Sequence, residues 1–229
     1  MPDFSRFEQR IGHPFKDASL IATAFTHRSY LNENREVGRE HNERLEFLGD
    51  AVLELAVTDF LFAKYPEKPE GDLTAYRAAL VNTQSISAAA AGLGMNDFLL
   101  LSRGEAKDTG RARQIILANA FEALIGALYL DSGYKVAEKF IAEQLFHKAD
   151  EVVEKRLWQD AKSRLQELAQ EKLKITPTYA VTAQTGPDHD RVFTVAAYIG
   201  QRKLATGEGR SKQEAEQRAA ENALNAKAW

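Results

Sequence analysis

Apolar positions recur at helical spacing through the first two thirds of the chain and switch to strand-like alternation only near its end. The spacing predicts helices up to about residue 157, interrupted at Pro66, at Pro69-Glu70-Gly71, between Gly92 and Gly94, and at Gly133. No strand pattern competes in that region. One predicted helix starts with Asn42-Glu43-Arg44-Leu45-Glu46-Phe47-Leu48-Gly49-Asp50. On an α-helix, Glu43, Glu46 and Asp50 share an arc of roughly 60°, while Leu45, Leu48, Val52 and Leu55 are expected on the core side. A second helix contains the almost wholly apolar run from Leu117 to Leu130, with Asn119 and Glu122 as its polar residues. A polar, Gly-punctuated connector, Ser102-Arg103-Gly104-Glu105-Ala106-Lys107-Asp108-Thr109-Gly110-Arg111, leads into it.

Beyond residue 160 the order changes to helix (161–172), three strands (177–185, 191–199, 203–207) and a last helix (211–227), with the first two strands alternating as half-buried strands do. The fold class is therefore an all-α domain over 1–155 followed by a small α+β domain, α-β-β-β-α, over 160–229. No Gly/Ser- or Pro-rich linker marks the boundary.

Composition narrows the function classes. The 229 residues suffice for two cores, and 44% hydrophobic with 28% charged residues is ordinary for a soluble globular protein. Cysteine is absent, which excludes disulfides and thiolate metal sites and fits a reducing cytoplasm. The first residues, Met1-Pro2-Asp3-Phe4-Ser5-Arg6, show no secretory signal, and the run from Leu117 to Leu130 is too short and too polar to span a bilayer, so no membrane association is expected. Net charge is −3, but Lys and Arg outnumber Asp and Glu by 11 to 9 from Gln159 onward, against 19 to 24 before it. A mildly basic tail behind an acidic body suits a nucleic-acid partner for the tail.

Glu122 carries the chemistry. A carboxylate in an apolar helix must be paired, protonated or bound to a metal. A salt bridge to a buried arginine such as Arg44 is one solution; a hard cation shared with Glu43, Glu46 and Asp50 is the other. Oxygen ligands from two helices, with neither Cys nor a His pair, suit Mg²⁺ or Mn²⁺, ions that promote phosphoryl chemistry.

The run Asn42 to Asp50, Glu70-Gly71-Asp72-Leu73-Thr74, Leu80-Val81-Asn82, and Phe121-Glu122-Ala123-Leu124-Ile125-Gly126-Ala127 with Tyr129-Leu130-Asp131 together resemble bacterial ribonuclease III, in the family's order and over nearly the whole chain. The resemblance implies a Mg²⁺-dependent endoribonuclease, with Mn²⁺ able to substitute, that leaves 5′-phosphate and 3′-hydroxyl ends on double-stranded RNA. It further implies roles in ribosomal RNA maturation and messenger RNA processing or decay, and a homodimer whose paired nuclease domains form one valley. Carried over by position, Glu46, Asp50 and Glu122 are the metal-binding carboxylates, Asp50 and Glu122 catalytic among them, and Glu43 and Glu70 are secondary members of the site. Phe47 is either a core residue or a dimer knob, and the resemblance favours the knob.

One position departs from the family pattern: the Asp three residues before the catalytic Glu is here Asn119. The amide oxygen still suits a hard cation, but one negative charge is lost and the NH₂ half repels cations. A natural variant with a weaker metal site and an inactivating substitution both fit. A duplex-RNA-binding protein that no longer cleaves is accordingly the alternative function; a purely structural helical dimer leaves the acids unexplained.

The α-β-β-β-α segment, with Gly186-Pro187-Asp188-His189-Asp190 between its first two strands and Gly207-Glu208-Gly209-Arg210-Ser211-Lys212 before its last helix, resembles a double-stranded RNA-binding domain. There the N–H groups opened by Ser211, with Arg210 and Lys212, are expected to take phosphates, while His189 and Gln166 reach minor-groove 2′-hydroxyls. Trp158 and Trp229 are read as packing residues.

Overall fold

Helical spacing becomes helix almost everywhere in the first part of the chain. The computed structural model describes residues 2–34, 38, 40–187 and 191–226, and the chain divides into two units, Met1–Trp158 and Gln159–Trp229. The first unit runs α1 (Ser5–Ile11), α2 (Ala18–Ala24), α3 (Arg28–Glu33), α4 (Glu43–Lys64), α5 (Glu70–Val81), α6 (Thr83–Gly92), α7 (Arg111–Ser132), α8 (Tyr134–Leu145) and α9 (Ala149–Glu154), with short 3-10 turns between α6 and α7 and after α8. An isolated parallel bridge between Thr26 and Leu100 is its one β-type pairing among the described residues, and the pattern of apolar positions did not announce it.

The long helices α4 and α7 form the centre of this unit. Leu53, Val57 and Leu61 from α4 and Phe121, Leu124, Ile125 and Leu128 from α7 are fully buried. Two glycines set how closely the helices approach. A Cβ on Gly49 would collide with the backbone carbonyl of Glu122, and one on Gly126 with that of Leu45. Only glycine allows this backbone-to-backbone packing. The buried stripe of α4 is Leu45, Gly49, Val52, Leu53, Ala56, Val57 and Leu61, so Leu48 lies at its margin and Leu55, expected in the core, is 57% exposed.

Predicted breaks fall close to the observed ones. Pro69 stands at the entry to α5, and Gly94 and Gly133 adopt positive φ. Gly71 breaks nothing and lies inside α5. With 22 residues α7 is longer than the run from Leu117 to Leu130, and by length and composition alone it is able to cross a membrane. Its burial in the core explains its apolarity instead. Trp158 packs on the same core, its ring 5.4 Å from that of Tyr76.

The second unit is α10 (Ala161–Leu173), β1 (Thr178–Thr185), β2 (Val192–Ile199), β3 (Arg202–Gly209) and α11 (Lys212–Asn225). The antiparallel sheet has the order β1-β2-β3, with Thr178 opposite Tyr198 and Phe193 opposite Gly209. Its core packs Leu165 among small residues: Ala161, Ala197, Ala219, Ala220 and Ala223. A Cβ on Gly207 would strike the backbone of α11, so helix and sheet touch main chain to main chain here as well. Contrary to the expected alternation, β1 is exposed at nearly every position, with Tyr179 half-buried. It is an edge strand with β2 on one side only.

Candidate active site and RNA-binding surface

The start of α4 is anchored from below. Asn42 is buried, its N–H donates to the Thr26 carbonyl at 2.9 Å, and its side-chain NH₂ donates to the Ala24 carbonyl at 3.2 Å. This fixes the rotation of α4, so Leu45 and Gly49 turn inward while Glu46 lies half-buried and Asp50 exposed. Across the Gly49–Gly126 contact, α7 presents Asn119 and Glu122 one turn apart, both half-buried.

Electrostatics link these residues. Burial first, then the charges of Asp50 and Glu46, push the Glu122 carboxyl up to about 7. Glu46 is also raised, by burial and then by Glu43, against a hydrogen bond from the Asn119 side chain that favours its ionised form; Asp50 raises it further. The structure thus brings Glu46, Asp50, Asn119 and Glu122 together, and the Asn119 side chain favours the ionised form of Glu46 where an aspartate would repel it. Among the described residues, however, no three His, Asp or Glu side chains converge closely enough to cage a metal by themselves. Like charges without a counter-ion keep apart, and the fourth polar group at this site is an amide.

Other candidates are placed differently. Glu43 lies in the first turn of α4 with its oxygens 3.4 Å from Arg28 and 3.8 Å from His41. Glu70 is exposed in the first turn of α5, and its charge is not among those acting on Glu46 or Glu122. Arg44 is not a buried partner for Glu122: it projects into solvent and pairs with Glu40 at 3.6 Å. The roles of Gly126, Arg28 and His41 were missed in the sequence. For Gly126 a signal was available, a glycine one helical turn after Glu122, facing another inside the acidic motif.

Phe47 is no core residue, being 82% exposed. It borders an open concavity of about 1130 Å³ lined in part by Leu20, Ala22, Leu48 and Leu130.

In the second unit Gln166 is exposed on α10, and Arg210, Ser211 and Lys212 are exposed at the entry to α11. His189 lies outside the described residues. Not all the expected N–H groups at this helix start are open. The Ser211 hydroxyl accepts from the Glu214 N–H at 3.1 Å, and the Glu214 carboxylate accepts from the Arg210 N–H at 2.9 Å and pairs with Arg218 at 2.9 Å. The N–H groups of Lys212 and Gln213 remain, since first-turn donors have no intrahelical acceptor.

Residues 17–149 match the family described as Ribonuclease-III-like. The chain belongs to the ribonuclease III family. Residues 161–227 match the double-stranded RNA binding motif, so this is a ribonuclease III-type endoribonuclease with an RNA-binding unit behind its nuclease unit. Ribonuclease 3 of Bdellovibrio bacteriovorus is 47% identical over 96% of this chain and 94% of its own. That of Streptococcus pneumoniae is 46% identical over 92% and 90%. A solved nuclease domain of ribonuclease III from Campylobacter jejuni, described for its flexibility in a region involved in dimer formation, is 40% identical, with a TM-score of 0.56 over 62% of this chain and 98% of that one. Ribonuclease III membership thus rests on both units, and the acidic face shared by α4 and α7 lies within the matched segment.

Proposed function

We propose that this protein hydrolyses phosphodiester bonds of double-stranded RNA with a divalent cation, Mg²⁺ or in its place Mn²⁺, leaving 5′-phosphate and 3′-hydroxyl ends. The observation that carries this reading is the gathering of Glu46, Asp50 and Glu122 on facing helices, where burial first and then the charges of Asp50 and Glu46 push the Glu122 carboxyl up to about 7. An all-oxygen donor set of carboxylates and one amide fits a hard cation, and a cation offsets the repulsion that holds the acids apart. When bound, such an ion supplies a Lewis acid at the phosphate and a water of lowered pKa. Glu46, Asp50 and Glu122 would hold it, with Asn119 as a neutral fourth donor. Glu122 and Asp50, on facing helices, fix the position of the attacking water relative to the phosphate. The α10–α11 face of the second unit grips the duplex by shape, through backbone phosphates and 2′-hydroxyls.

The active form is a homodimer joined through the nuclease units, a reading supported by the exposed Phe47 beside an open concavity whose apolar wall includes Leu20, Ala22, Leu48 and Leu130. The setting is cytoplasmic, in maturation of ribosomal RNA precursors and processing or decay of messenger RNA. A second reading, a duplex-RNA binder that no longer cleaves, is favoured by one observation: at the place of the usual aspartate stands the neutral Asn119, half-buried beside Glu46. Long duplex RNA incubated with the wild-type protein, Asn119→Asp and Glu122→Ala, with and without Mg²⁺, separates the two. Fragments from the wild-type protein in Mg²⁺ alone, and none from Glu122→Ala although it still shifts the duplex on a gel, are expected. Turnover by Glu122→Ala at saturating Mg²⁺ overturns the assignment.

A further inference from the structure

Glu43 acts on Glu46 through its charge, but its own oxygens face a second set of groups. Its Oε1 lies 3.4 Å from Nη1 of Arg28 and its Oε2 3.8 Å from Nδ1 of His41, so each oxygen faces a different cationic or cation-forming group. The geometry around the pair is built. His27 caps α3 by accepting from the Ser29 N–H at 3.3 Å, and the Ser29 hydroxyl accepts from the Ser102 N–H at 3.1 Å, which fixes the helix start that carries Arg28. The His27 N–H donates to the Leu100 carbonyl at 3.0 Å, and Asn42, next to His41, donates to the carbonyls of Thr26 and Ala24 just before His27. Nδ1 of His41 is buried without a hydrogen bond, while 40% of the side chain is exposed. Arg28 is 69% exposed and engages Glu43 through Nη1, which leaves its remaining N–H groups facing solvent.

Exposed ion pairs contribute only about 0–1 kcal/mol to stability, so this arrangement does little for the fold. What it does is hold an arginine and an imidazole in place one helical turn from Glu46. A polyanion approaching Glu46, Asp50 and Glu122 meets repulsion, and cationic groups at the edge of the acidic face offset it. We propose that Arg28 and His41 form a phosphate contact for the RNA backbone flanking the cleavage centre, with Glu43 as the positioning residue that orients them. This rests on the reading of the protein as a duplex-RNA endonuclease. Glu43 is then a holder of the substrate contact and not a metal ligand.

The test uses the full chain in the Asn119→Asp background, with kcat and KM for duplex RNA measured in Mg²⁺ at several salt concentrations. Arg28→Gln is expected to raise KM about tenfold, the scale of one charged hydrogen bond, with kcat within about twofold. It should flatten the salt dependence of log KM by about one unit, the signature of one lost phosphate contact, while Arg28→Lys keeps that slope. Glu43→Gln should raise KM severalfold with kcat within about twofold. Unchanged KM and slope in Arg28→Gln, or a collapse of kcat in Glu43→Gln, overturns this inference alone. Absence of cleavage by both the wild-type protein and Asn119→Asp overturns the endonuclease reading and this inference with it.

Discussion

The backbone of Gly49 lies so close to the carbonyl of Glu122 that no side chain fits between them. This contact makes neighbours of Glu46 and Asp50 on one helix and Asn119 and Glu122 on the other. Gly49→Ala should therefore push α4 and α7 apart, costing about 1–3 kcal/mol of stability as overpacking does. Cleavage should fall further than the loss of folded protein explains. Gly71 provides the contrast, for it is helical with open space around it, and Gly71→Ala should gain about 0.5–1 kcal/mol. Thermal midpoints of the two variants moving in the same direction would contradict the packing argument.

Asn119→Asp replaces a neutral side chain that favours ionised Glu46 with a fourth negative charge. In the absence of metal it should lower stability, and in its presence strengthen Mg²⁺ binding and raise the rate of duplex cleavage. Equal rates for both forms across a full Mg²⁺ titration would remove the importance assigned to this charge.

Glu122 makes metal-free stability depend on pH. Its carboxyl is pushed from an ordinary value of 4.5 up to about 7, so the folded protein binds this proton more tightly than the unfolded chain does. The contribution is fully present below about pH 4.5 and is lost as pH rises through 7. Allowing for solvent screening of a partly exposed group, the loss is about 1–2 kcal/mol. Urea unfolding in EDTA should show lower stability at pH 8 than at pH 5.5, and Glu122→Gln should flatten that difference. Mg²⁺ should restore stability at pH 8. A wild-type profile rising over this range would show that the acids are further apart in field than described.

Phe47, at 82% exposure, contributes little to the fold of one copy. Phe47→Ala should leave the unfolding free energy of the monomer within about 0.5 kcal/mol, in line with other surface substitutions. Burying a phenylalanine side chain gains about 1.5–3 kcal/mol, so self-association measured by sedimentation should weaken by at least about tenfold. An unchanged dissociation constant would move the dimer contact elsewhere.

Local pattern was enough for most elements. The amphipathic run from Glu43 and the apolar run around Glu122 became α4 and α7, and the strands expected past residue 175 became the β1–β3 sheet, although burial along β1 and β2 does not follow the expected alternation. The acidic motif also marked which acids to watch. It did not separate them. Glu43 and Glu46 lie in the same turn and the same arc, yet Glu43 turns to Arg28 and His41 while Glu46 turns to Asn119.

What the sequence by itself determined is the order of helices and strands, the change from an all-helical to an α+β segment and the acids proposed to bear the chemistry, all of which depend on neighbours a few positions apart. Only the tertiary structure decided that Gly49 and Gly126 let two backbones touch, that Leu55 is left outside, that Arg44 faces solvent and that Ser211 spends its hydroxyl on Glu214. Each of these outcomes depends on the distance and rotation of one element against another. That relation is set by packing among residues far apart in the chain, and periodicity carries no record of it.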